Sequence, residues 1–179
     1  MSADTSKRGL VVVVAVAVAA FALAFGATAA EGGLVGKTLP PYPAGLDELQ
    51  GVCIAGDPSP ARICDYALQV IGRLSTDPDR AATPTLVLAS RNIEPGAAQA
   101  RWRVTDAVAV PKPRKGYELQ IGNCRLDRVD GAPIVAFVRH GDREYSRDVL
   151  WARRLDIASG RLLAVAIKQV DCLNEGLGV

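Results

Sequence analysis

The side chains able to do chemistry in this chain are four cysteines, one histidine and a scatter of carboxylates. Cys53, Cys64, Cys124 and Cys172 show no Cys-x-x-Cys spacing, and His140 alone is left to add a nitrogen ligand, so no metal site is expected. An even cysteine count beyond an export signal reads instead as two disulfides. Four cysteines allow three pairings. Cys53 with Cys64 is favoured because the two are close in sequence, and Cys124 with Cys172 because both end expected strands in the same half of the chain. A bridge needs Cα atoms within about 7 Å, so the second pairing makes those strand ends neighbours.

His140 sits in His140-Gly141-Asp142-Arg143-Glu144, a polar stretch that reads as a solvated loop. A nucleophilic site would need this imidazole as its base, yet no Gly-x-Ser-x-Gly elbow is present and the cysteines are expected to be oxidised. Asp127, Asp130, Asp142, Glu144 and Asp148 match neither the oxygen spacing of a calcium loop nor the carboxylate pair of a glycosidase. Asp106 is the catalytic candidate. It falls on the apolar face of an alternating segment, with Trp102, Val104, Val108 and Val110, where a carboxylate is out of pattern. It reads as part of a bulge, as a paired buried carboxylate, or as a functional acid. There is no Gly-rich phosphate loop, and no cofactor is expected.

The elements that hold these residues belong to an expected exported domain. Residues 10–25 form an uninterrupted apolar run, preceded by Lys7 and Arg8 and followed by Ala27-Thr28-Ala29-Ala30. Those are the three parts of a secretory signal peptide, so residues 1–30 are read as a signal, with an uncleaved membrane anchor as the alternative. Either way the rest of the chain faces out of the cytoplasm, periplasmic or secreted. The net charge of +2 falls to +1 once Asp4, Lys7 and Arg8 are set aside, which disfavours nucleic acid as a partner.

Residues 31–44, with Gly32, Gly33, Gly36, Pro40, Pro41 and Pro43, read as a Gly/Pro-rich linker, and 45–179 as a single disulfide-stabilised domain. Ser59 as N-cap, Pro60 at the first helical position, and apolar residues at Ile63, Tyr66, Ala67, Val70, Ile71 and Leu74 predict an amphipathic helix over 60–74. From residue 86 the period changes to two. Strands are expected over 86–90, 101–110, 117–124 and 134–138, then a hairpin of 149–156 with 161–172 turning at Ala158-Ser159-Gly160. Residues 134–138 are apolar on both faces, which predicts an interior strand covered on each side. The expected fold is therefore α+β, one amphipathic helix packed on an antiparallel sheet of five to six strands.

No catalytic or ligand-binding signature rises from this pattern. The expectation is a small exported non-enzymatic module that binds an envelope or secreted protein through a sheet face or edge. The alternative is a carboxylate-based hydrolase acting on an envelope polymer, with Asp106 and one of the carboxylates at 127, 130, 142, 144 or 148 as acid and base.

Overall fold

The structure is a computed structural model that describes residues 33–56, 64–77 and 81–177. The described residues are nearly all β, in three antiparallel sheets, which overturns the α+β expectation: among them no helix packs on a sheet. The apolar run at 10–25 lies outside the described residues. Among the described ones, no helix is long and apolar enough to cross a membrane.

The first sheet has the order β1 (Thr38–Leu39), β5 (Trp102–Ala109), β4 (Thr83–Asn92), β3 (Tyr66–Arg73), β2 (Asp47–Ile54). The second runs β11 (Arg161–Ala164), β10 (Val149–Asp156), β8 (Ile134–Val138), β6 (Glu118–Ile121), and the third β7 (Cys124–Leu126), β12 (Val170–Leu173), β9 (Tyr145–Ser146). The expected helix is strand β3 over the part that is described; Ser59 and Pro60, its expected start, lie outside it. The reason is physical. Residues 67–72 are all buried, because β3 is covered on both faces. A run that is apolar on both faces also satisfies the i, i+3, i+4 spacing of a helix, and here β-branched Val70 and Ile71 and aromatic Tyr66 favour the extended chain.

The second sheet is the middle layer. Val135 of β8 packs with Leu68 and Val70 of β3 and Val87 and Ala89 of β4, joining it to the first sheet. Ile134, Ala136 and Val138 turn the other way, onto Cys124, Val170 and Cys172 of the third sheet. The expected interior strand is thus present, and every residue of it is buried. Removing each such aliphatic side chain from water contributes about 1.5–3 kcal/mol.

The outer face of the first sheet is covered by the chain's own Gly/Pro-rich stretch from residue 33 onward. Leu34, Leu39, Tyr42 and Leu46 pack on Ile71, Leu86, Leu88 and Val104, and β1 pairs with β5. That stretch belongs to the folded unit. It also explains Gln69, which faces this side of β3 at 1% exposure and donates to Glu48 Oε2 at 2.9 Å.

Both expected disulfides are present: Cys53 with Cys64, Cα atoms 4.9 Å apart, and Cys124 with Cys172, 3.9 Å apart. The latter joins directly opposed residues of β7 and β12. The expected hairpin forms over β10 and the first four residues of its return strand. Residues 165–172 then leave it through a 3₁₀ turn, Ile167–Gln169, and enter the third sheet as β12.

Candidate functional site

In an antiparallel sheet each residue points its backbone N–H and C=O to one side only, so the register fixes which groups of an edge strand are left outward. Leu155 N–H bonds the Pro133 carbonyl, so beyond the bulge at its start Trp151, Arg153 and Leu155 of β10 face β8, and Arg154 and Asp156 face β11. Arg161 and Leu163 therefore face β10, and Leu162 and Ala164 point outward from the β11 edge. At the other side Gly122 N–H bonds Ile134 O. Glu118 and Gln120 accordingly face β8, while Leu119 and Ile121 point their backbone groups outward from the β6 edge.

The two edges are treated differently. At β11 the outward N–H of Leu162 is taken by Asp106 Oδ2 at 2.8 Å, and Asp106 Oδ1 accepts the N–H of Ala107 at 3.0 Å. The aim of this carboxylate comes from a bulge. Ala89 opposes Asp106 and Ser90 opposes Val104, leaving Thr105 as the extra residue of β5. The Thr105 hydroxyl lies 2.7 Å from the Gly160 carbonyl and donates to it. Gly160 has a φ of +67° and an added Cβ would come within 3.1 Å of Thr105 Cβ, so the turn of the β10–β11 hairpin needs glycine there. Asp106 is thus both beside a bulge and paired, and it caps the outward N–H of Leu162 at the β11 edge.

At β6 no such group is present among the described residues. Its outward side opens into a groove of about 480 Å³, lined also by Gln50 and Gly51 of β2, an edge strand of the first sheet, and by His140 and Glu175. Glu118 and Gln120 point to the same face of β6, and Gln120 Nε2 donates to the Leu173 carbonyl at 2.9 Å and to Glu175 Oε1 at 3.3 Å. Asn123 Nδ2 donates to the same Glu175 oxygen. Gln120 Oε1 and His140 Nδ1 are buried without a hydrogen-bond partner.

The other expected acids are dispersed. Asp127 accepts from Gln169 Nε2 at 3.1 Å. Asp148 accepts from the Tyr117 hydroxyl at 2.6 Å and from Arg139 Nε at 2.7 Å; the Tyr117 bond, with Arg139 second, holds its carboxyl below the usual range. Asp130 lies in the turn after β7, and Asp142 and Glu144 lie in the exposed loop before β9. Asp106 meets Ala107, Leu162 and, at 3.9 Å, Arg161, and is in contact with none of them. His140, read as a loop residue, lies in the loop after β8 and lines the β6 groove.

Sequence reading passed over Asp171, Arg125 and the edge position of β6. Asp171 is 3% exposed and takes a two-pronged bond from Arg125, Nε at 2.8 Å and Nη2 at 2.9 Å. That bond depresses the Asp171 carboxyl. Arg125 also lies 3.3 Å above the Tyr145 ring. The only signal available was an acid on an apolar strand next to Cys172. Groups of three or more His, Cys, Asp or Glu placed to hold a metal do not occur among the described residues. No protein-family model, curated protein or solved structure matches this chain.

Proposed function

We propose that the chain is an exported, non-enzymatic binding domain that captures an extended segment of a partner protein by adding it as a strand to β6. The observation that carries this reading is the contrast between the two edges of one sheet: at β11 Asp106 takes the outward N–H of Leu162, whereas β6 presents Leu119 and Ile121 to an open groove with no such side chain among the described residues. Exposed edges invite pairing and are normally blunted, so an unblunted edge beside a groove is a feature to be used. Both oxygens of Asp106, the foremost catalytic candidate, accept backbone N–H groups, which supports a binding role over hydrolysis. Two disulfides are compatible with an extracytoplasmic location, and the export signal read at residues 1–30 supports a periplasmic or secreted one.

The test is selection of binders from immobilised decapeptides, followed by two backbone perturbations. Leu119→Pro removes one outward N–H and leaves the ladder to β8 intact, because proline is tolerated where the N–H faces away from the sheet. Methylating alternate backbone nitrogens of the selected peptide removes the complementary donors without touching the protein. Strand addition requires that both weaken binding at least ten-fold while the thermal midpoint of the variant is kept. Peptides that bind equally well through either change would overturn the proposal.

A further inference from the structure

We infer, resting on the strand-addition reading, that the segment taken up at β6 is cationic, with Lys or Arg on the side chains that share the face of Glu118 and Gln120. Two carboxylates line the groove, Glu118 and Glu175, and no lysine or arginine does. Among the described residues neither carboxylate is in an ion pair. The polar partners of Glu175 are the neutral amides of Gln120 and Asn123, which fix the position of its carboxylate without compensating its charge. This stands out in a chain whose residues 101–179 carry fourteen basic and ten acidic side chains.

A second observation points the same way. Gln120 is 9% exposed and lies on the groove wall, yet its Oε1 has no donor. Apart from the outward backbone groups of Leu119 and Ile121 and the His140 ring, the vacant side-chain capacity of this wall is that of acceptors: two carboxylates and an amide oxygen. Lysine and arginine side chains supply donors and nothing else. A bound metal is the other cation to weigh, but Glu118, Glu175 and His140 do not converge as a ligand set.

The spacing follows from strand geometry. Glu118 and Gln120 are two residues apart on one face, about 7 Å, and Glu175 reaches the groove at the Gln120 end. A strand laid beside β6 presents alternate residues over that face, so its basic side chains should lie two or four positions apart.

The experiment uses the full chain with both disulfides formed and three fluorescent octapeptides that alternate valine with lysine, glutamine or glutamate. Anisotropy titration should rank lysine tightest and glutamate weakest. The ranking should shrink at high salt, and Glu118→Gln and Glu175→Gln should each weaken the lysine peptide about two- to five-fold, the scale of an exposed ion pair. Leu119→Pro should weaken all three peptides. Equal binding of the three, all lost in Leu119→Pro, would overturn the charge inference and leave strand addition standing. Lysine-peptide binding that survives Leu119→Pro, or the absence of binding by any of the three at millimolar peptide, would overturn both.

Discussion

The carboxylate of Asp106, on β5 of the first sheet, accepts the N–H of Leu162, on β11 of the second, at 2.8 Å across a sequence separation of 56 residues. One side chain thereby ties two layers together and takes up the outward N–H of Leu162 at the edge of the second sheet. Replacing Asp106 by Ala leaves that part-buried N–H unpaired, a loss of about 1–3 kcal/mol. Urea denaturation should show this decrease. Sedimentation should show stronger concentration-dependent association of Asp106→Ala than of the parent chain, since the outward N–H of Leu162 is then free to pair. A variant as stable and as monomeric as the parent would refute the role given to Asp106.

The Cys124–Cys172 bridge fastens β7 to β12 and, through Val170 and Cys172, the third sheet to β8. Its partners are 48 residues apart in sequence, so it restricts a long loop in the unfolded chain. Cys172→Ser is expected to cost about 2–5 kcal/mol, read from chemical denaturation of the oxidised protein. Peptide mapping without reduction should find Cys124 joined to Cys172 and Cys53 joined to Cys64. Any crosslink between the two pairs would contradict the layer arrangement.

Asp171 is depressed first by its bond from Arg125, and also by the charges of Arg125 and Arg147. A carboxyl whose folded pKa lies below its unfolded value of about 3.9 adds stability that is fully present above that value and is lost as pH falls through the folded one. Stability should therefore drop on acidification below about pH 4, and Asp171→Asn should flatten that acid limb while lowering stability at neutral pH. Denaturation midpoints measured across that range decide it. An unchanged acid limb in the variant would show that the pair carries no pH dependence.

Much of the β structure was legible because local signals sufficed. The interior strand at 134–138, the β10–β11 turn and both disulfides follow from apolar runs, a glycine at a tight turn and cysteine spacing. The segment at 66–73 was not, because a strand covered on both faces carries no period-two signature, and what covers its outer face is the Gly/Pro-rich stretch that composition marks as a spacer. Asp106 was legible as an anomaly but not in its purpose, since its partner lies in another sheet. The groove was hidden for a related reason. That β6 is an edge depends on the order β11-β10-β8-β6, which brings together strands distant in sequence.

The central claim is that Leu119 and Ile121 present unpaired backbone groups for a partner strand, and amide hydrogen exchange at single-residue resolution tests it most directly. In the free chain the amides of Glu118 and Gln120, bonded to β8, should exchange slowly and those of Leu119 and Ile121 quickly, an alternation along one short strand. With a bound peptide at saturation, Leu119 and Ile121 should become as protected as their neighbours. Protection of Leu119 and Ile121 already in the free chain, or fast exchange that persists at saturation, would contradict the account.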